Sequence, residues 1–249
     1  MNKIGILVVA FNAESTIEST LNRIPKDLMS SVYSILISDD KSKDLTSIKA
    51  SNYAKTSTLP IELIVQPINL GYGGNQKFGY SWAIRNDWEI VVLLHADGQY
   101  APEFISQIID PLITGNADAV FGSRMINKKD ALRGGMPKYK WIGNQILTFI
   151  QNKITNQNFS EWHSGYRAYN VEALKDISLG SLSNGFRFDT QIILQLLAAN
   201  KRIVEIPIPT FYGDEVSHVN GIEYAREIIW DTVRHRLKYG VSKESRLRK

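Results

Sequence analysis

The chain has 249 residues, 43% hydrophobic and 22% charged, enough to bury a large core in one α/β domain or one domain with an appendage. It has no cysteine, which excludes disulfides, thiolate chemistry and cysteine zinc sites. The formal charge of +4 is uneven: eight Lys or Arg stand against three acids from Arg226 to Lys249, and the remainder sums to −1. That balance argues against a nucleic-acid partner, which needs an extended electropositive face, and permits contact with an anionic membrane.

The amino terminus does not read as a signal peptide, and no window of eighteen uninterrupted apolar residues predicts a membrane span. Ile4–Ala10 reads as a buried strand, and Thr16–Ile24 as a helix with Ile17, Leu21 and Ile24 on one face. Tyr33–Ser38 is a second strand ended by Asp39, Ser47–Lys55 a short helix, and Ile61–Val65 a third strand stopped by Pro67. A glycine-rich turn from Asn69 to Gly74 leads into a helix carrying Phe78 and Trp82. Ile90–Leu94 is the most apolar run and the expected central strand. Pro102 suits the first turn of a helix whose apolar face is Phe104, Ile105, Ile108 and Ile109. Ala119–Phe121 begins a further strand, leading into Gly122-Ser123-Arg124. This alternation predicts an α/β fold with a mostly parallel sheet covered on both faces, and ligands beyond the carboxyl ends of its strands.

Residues 125–160 differ: Lys128, Lys129, Lys138 and Lys140 surround glycines and a proline, which reads as a mobile basic loop. Trp141–Ile154 then offers Ile142, Ile146, Phe149, Ile150 and Ile154 at helical spacing, either packed on the body or partly exposed toward lipid. Gly185–Gln191 opens a helix continued by Thr190, Ile193 and Leu197, and Asp189 caps or orients it. Glu205–Thr210, with two prolines, predicts an edge strand. Ile222–Lys238 is an amphipathic helix with a basic end, either packed on the body or bound at a membrane surface. The expected division is a globular domain over 1–215 and a helix with a basic tail over 216–249.

Three strand-like runs in the first half end in polar groups: Ala10 to Glu14, Asp39-Asp40, and His95-Ala96-Asp97. Asp97 is a candidate ligand for Mg2+ or Mn2+, with a diphosphate supplying further oxygens. His95 can ligate the same ion, pack, or orient Asp97. Because successive strand side chains alternate, only one of Asp39 and Asp40 faces a ligand readily, where it accepts from a nucleobase or ribose; the other caps the next turn. The Asn69–Asn75 turn is no dinucleotide fingerprint, since it follows the third strand, and it lacks the Lys-Ser/Thr end of a P-loop.

Together these segments resemble the family 2 glycosyltransferases, especially the dolichyl- and polyprenyl-phosphate sugar transferases, over roughly residues 3–215. VVAFNAESTI resembles the family's first strand and Asn-x-Glu turn, SDDKSKDLT its Asp-Asp-Gly-Ser-x-Asp-x-Thr segment with Lys41 for glycine, and NLGYGGNQKFG its Asn-x-Gly-x-Gly turn. ADGQY corresponds to its Asp-x-Asp motif, with His95 at the first acidic position and Asp97 retained. Gly122-Ser123-Arg124 and Glu161–Tyr169 also match. The resemblance implies a GT-A-like three-layer α/β/α domain and metal-dependent, inverting transfer from a nucleoside diphosphate sugar. It implies donor contacts from Asn12, Glu14, Asp39, Asp40, Asn69, Gly71, Asp97 and Gln99. Arg124 and Arg167 are candidates for an acceptor phosphate, because guanidinium forks match phosphate oxygens, or else form ion pairs. Ser164 and Gln191 complete the expected acceptor set. Glu161 is a general base if the acceptor is a hydroxyl, and a positioning group if it is a lipid phosphate. Asp97, Glu161 and Arg124 are thus the expected catalytic residues. The segment FYGDEVSHVN departs from the family's basic lid, with Asp214, Glu215 and His218 in place of arginines.

Polyprenyl phosphate is the favoured acceptor. A glycan or small-molecule hydroxyl is the enzyme alternative, and a non-catalytic sugar-nucleotide-binding module the alternative of another class. The expected location is cytoplasmic, including the inner face of the membrane, and a homo-oligomer is compatible with the sequence.

Overall fold

The computed structural model describes residues 3–26, 28, 32–211 and 221–240. Strands β1 (Ile4–Ala10), β2 (Val32–Asp39), β3 (Ile61–Val65) and β4 (Ile90–His95) form where the apolar runs predict them. They alternate with α1 (Ile17–Asn22), α2 (Thr46–Thr56) and α3 (Tyr72–Arg85). After a 3-10 turn over Pro102–Phe104 come α4 (Ile105–Ile113) and β5 (Ala119–Ser123). Next are α5 (Lys128–Arg133), α6 (Lys138–Thr155), β6 (Arg167–Asn170) and α7 (Val171–Lys175). The last elements are α8 (Phe188–Ala198), β7 (Ile203–Pro207) and α9 (Gly221–Tyr239).

The strands form one sheet in the order β3-β2-β1-β4-β6-β5-β7. Every pairing is parallel except those of β6, which runs antiparallel between β4 and β5. The pleat sorts side chains to two cores. Ile4, Ile6 and Val8 of β1 and Ile90, Val92 and Leu94 of β4 pack with α1, α2 and α4, whereas Leu7, Val91 and Leu93 pack with α3, α7 and α8. The three-layer, mostly parallel α/β architecture is therefore the one expected, and β7 is an edge strand as its proline predicts.

Two local expectations are corrected, and one strand, β6, was not expected. The segment after β5 is no mobile loop: α5 forms, and Met125, Ala131 and Met136 are buried together against Trp141, whose indole donates to Lys128 O at 3.0 Å. These apolar groups are too sparse to show a period in sequence. The strand β6 carries no strand signal because its first residue is an arginine.

The other correction concerns α6. Thr148, Gln151 and Thr155 face inward, Ile142, Ile146 and Phe149 are exposed, and Ile150 and Ile154 are half-buried. Of the two readings, the partly exposed apolar face is the one found. Among the described residues, no helix is long and apolar enough to cross a membrane. The expected boundary at 215, the residues Asp214, Glu215 and His218, and the tail beyond Gly240 lie outside the described residues.

Candidate active site

Because β2, β1 and β4 are adjacent and parallel, their carboxyl ends deliver the predicted polar residues to one sheet edge: Ala10 pairs with Asp39, and Val9 with His95. The loops that follow lock together. Asn12 takes a left-handed conformation (φ 49°); its N–H donates to Ser42 Oγ at 2.8 Å and its Oδ1 accepts from Lys43 N at 2.9 Å. Glu14 Oε2 accepts from Leu45 N at 2.8 Å. Asn12 and Glu14 thus shape the β2–α2 loop through its backbone.

Asp39 and Asp40 divide as alternation requires. Asp39 Oδ1 accepts from the N–H and hydroxyl of Ser42, and its buried Oδ2 has no partner among the described residues. A buried carboxylate oxygen without a donor is costly, and here it sits at a strand tip where ligands bind. Asp40 instead clamps the glycine turn: its oxygens accept from Leu70 N at 2.6 Å and Gly71 N at 3.0 Å, while Asn69 Nδ2 donates to Asp40 O at 3.0 Å. Burial pushes the Asp40 carboxyl up against the opposing pull of those N–H groups. Gly71 (φ 80°) admits no side chain, since a Cβ would sit 2.8 Å from Asn184 O.

Asp97 follows β4, and its Oδ1 accepts from Gln99 N at 3.0 Å. A carboxylate offers about four lone-pair sites, so this contact leaves capacity for a cation. No group of three or more His, Asp or Glu able to hold a metal occurs among the described residues. A single carboxylate fits Mg2+ or Mn2+ only with substrate oxygens completing the shell, which is the ordinary manner of magnesium at phosphate sites. His95 packs edge-on between Tyr72 and Tyr100, with centroids at 5.6 and 5.3 Å. Its ring abuts Gly165, where a Cβ would lie 3.0 Å from Cε1, so the Glu161–Arg167 loop is seated against the end of β4.

That loop builds the second half of the site. Glu161 is buried and accepts from Arg124 N at 2.7 Å, Arg124 Nε at 3.0 Å, Arg124 Nη2, and Asn144 Nδ2 at 2.8 Å. Burial alone would raise its carboxyl; the Arg124 charge and these bonds outweigh that and hold it below the usual carboxylate range. Arg124 Nη2 also donates to His163 O at 3.3 Å. His163 Nδ1 meets Tyr224 OH at 3.1 Å, and burial pushes its imidazole down to about 4. Behind the loop, Glu205 of β7 accepts from Ser160 N at 2.7 Å and Glu161 N at 3.0 Å.

The other acceptor candidates are engaged internally. Arg167 is buried, donating to Ser164 O at 2.9 Å and Asp189 O at 2.8 Å with its guanidinium over the Phe121 ring. Ser164 Oγ accepts from Tyr166 N at 3.4 Å. Gln191 bridges Ser183 N at 2.7 Å and Asp231 Oδ2 at 2.8 Å, tying α8 to α9.

Sequence reasoning missed Asn144, Tyr224 and Glu205. A polar series at helical spacing, Asn144, Thr148, Gln151 and Thr155, was the available signal for the first; the other two had none. A cleft of about 510 Å³ beside Lys3, Trp88 and Glu172 lies at the opposite end of the sheet and contains none of these groups.

The sheet and its carboxyl-edge site define a GT-A-type α/β enzyme. Glucosyl-3-phosphoglycerate synthase from Mycobacterium tuberculosis, solved with Mn2+, uridine diphosphate and phosphoglyceric acid, shares this fold at a TM-score of 0.68 and 16% identity, over 97% of this chain and 80% of that one. The profile described as Glycosyl transferase family 2 matches residues 5–178, and the chain belongs to that family. It is 28% identical over 222 residues to the UDP-N-acetylglucosamine–dolichyl-phosphate N-acetylglucosaminyltransferase of Methanococcus voltae, covering 85% of this chain and 86% of the relative. It is 26% identical over 213 residues to the undecaprenyl-phosphate mannosyltransferase of Micrococcus luteus, covering 84% of each.

Proposed function

We propose that this glycosyltransferase moves a sugar from a nucleoside diphosphate donor to a polyprenyl phosphate, with inversion, at the cytoplasmic face of a membrane. The observation that carries the choice of acceptor is the buried Glu161–Arg124 pair. A hydroxyl acceptor needs a general base with a pKa near the working pH, and a carboxylate held ionised by an arginine is a poor one. A lipid phosphate is already anionic and needs no base.

In this reading the orphaned Asp39 Oδ2 accepts from the donor's base or ribose. Asn12, Glu14, Asp40, Asn69 and Gly71 shape the walls around it. Asp97, with Gln99 beside it, is the carboxylate that would hold Mg2+ or Mn2+. Such a cation would supply charge neutralisation for the departing phosphate oxygens. Arg124, oriented by Glu161, and Ser164 meet the acceptor phosphate, while Arg167 and Gln191 hold the loop and helices in place. Inversion follows from direct attack opposite the leaving nucleotide. Two relatives whose names specify dolichyl and undecaprenyl phosphate support the same acceptor class.

The test is a donor–acceptor matrix with Mg2+ or Mn2+, including short polyprenyl phosphates and free glycans, read by product mass. Glycosylated prenyl phosphate is the expected product. Transfer to hydroxyl acceptors alone would overturn the assignment.

A further inference from the structure

Tyr72 is the first residue of α3, and its ring is held between two aromatic neighbours. His95 meets it edge-on at 5.6 Å between centroids, and Phe186 lies against it at 4.9 Å. Its hydroxyl donates to Asp189 Oδ2 at 2.7 Å, across 117 positions of sequence. Burial and the Asp189 charge push the phenol far up, so it stays a donor throughout the neutral range. The other carboxylate oxygen, Oδ1, is buried with no hydrogen-bond partner among the described residues and pairs with Arg167 Nη1 only at 3.6 Å. A carboxylate so placed depends on the donors it keeps, because a bare buried oxygen forfeits the hydration it had in water.

Asp189 in turn holds Arg167, whose Nη1 donates to the Asp189 carbonyl at 2.8 Å. The same guanidinium donates to Ser164 O at 2.9 Å and Trp162 O at 3.3 Å, so it pins the Glu161–Arg167 loop from behind. On its other side Tyr72 belongs to the glycine turn. Gly71 N donates to Asp40 Oδ2 at 3.0 Å, and Gly73 N and Gly74 N donate to Asn184 O at 2.7 and 3.2 Å. We propose that Tyr72, although it stands in the turn assigned to the donor, is a positioning residue for the acceptor loop, acting through Asp189 and Arg167. The hydroxyl orients the Asp189 carboxylate, Asp189 holds the guanidinium, and the guanidinium fixes the carbonyls of Trp162 and Ser164. The inference deepens the proposed function and rests on it for the identity of the acceptor, while one arm of its test needs no turnover.

Tyr72→Phe keeps the ring between His95 and Phe186 and removes the hydroxyl alone. Its KM for a short polyprenyl phosphate should rise roughly five- to tenfold, from one lost hydrogen bond to a carboxylate, with the donor KM unchanged. A packing role confined to the glycine turn would do the reverse. Asp189→Asn is the second variant, and the double variant should be no worse than the poorer single one, because both act on one chain of contacts. Hydrogen exchange of the free protein is the arm without turnover: amides of residues 162–167 should exchange about tenfold faster in Tyr72→Phe, and those of 70–74 at the wild-type rate. The proposal is overturned if the donor KM rises in place of the acceptor KM, or if the two substitutions add in full. It is equally overturned if exchange in the loop is unchanged, or if both segments speed up alike, which is general destabilisation. Should the wild type glycosylate no prenyl phosphate, the proposed acceptor falls, and the exchange comparison alone decides the role of Tyr72.

Discussion

Asn144 of α6 donates through Nδ2 to Glu161 Oε1 at 2.8 Å, and Glu161 is the carboxylate that orients Arg124. The helix that precedes the Glu161 loop therefore helps set the geometry of the arginine. Asn144→Ala removes a hydrogen bond to a buried charge and should cost about 2 kcal/mol of stability. Glu161→Gln leaves Arg124 without its counter-ion and should cost about 3 kcal/mol. Urea unfolding checks both. Both variants should also raise the acceptor KM more than the donor KM, a split that a purely structural defect would not produce.

His163 makes folding sensitive to acid. Its imidazole titrates near 4 in the folded chain, because burial disfavours the cation, against 6.5 when unfolded. Between those values the unfolded state binds the extra proton, so stability is full above pH 6.5 and falls as pH drops toward 4. The loss from this group is of order 3 kcal/mol. Glu161, whose folded pKa is depressed, contributes stability that is lost further into acid. Denaturation midpoints measured across this range should flatten in His163→Gln relative to wild type; an unchanged slope would remove histidine as the cause.

Asp97 should separate function from folding. Its visible local bond is to Gln99 N, so Asp97→Ala should unfold at nearly the wild-type temperature. Its kcat should fall about 10²–10³-fold if the carboxylate holds the cation that stabilises leaving-group charge. Chelation of the wild type should give a comparable loss, restored by added Mg2+ or Mn2+. Chelator-resistant turnover in the variant would break the link.

Two backbone positions make opposite predictions. Gly71 sits at φ 80° with Asn184 O close by, so Gly71→Ala should destabilise by about 2 kcal/mol and weaken donor binding. Lys41 holds φ 60° in the segment where the family's pattern has glycine. Lys41→Gly should relieve that conformation and stabilise by up to about 1 kcal/mol, losing only the exposed Nζ contact to Pro67 O at 2.8 Å. Thermal unfolding reads both signs.

The strands β1 to β5 were legible because buried parallel strands are near-continuous apolar runs, and the polar residue ending each run marks the ligand edge. Asp39, Asp40 and Asp97 were found that way. The antiparallel β6 was not, because Arg167 opens it and is stabilised there by the carboxylate and carbonyl of Asp189, on α8, and by the carbonyl of Ser164 in the preceding loop. The direction of α6 was equally illegible. A helical period reports that one face differs from the other, and it does not say which face meets the protein.

By itself, the sequence determined the α/β class, the succession of the first five strands along the chain and the polar groups at the ends of several of them, since these follow from local periodicity and the reach of a buried strand. Only the tertiary structure decided which oxygen of Asp39 lacks a donor, that Asp40 serves the glycine turn, that Glu161 is tied to Arg124 and Asn144, and that α6 shows its apolar side outward. Each of those depends on partners many residues away. Burial and hydrogen bonding across the fold, which no local pattern encodes, assign them.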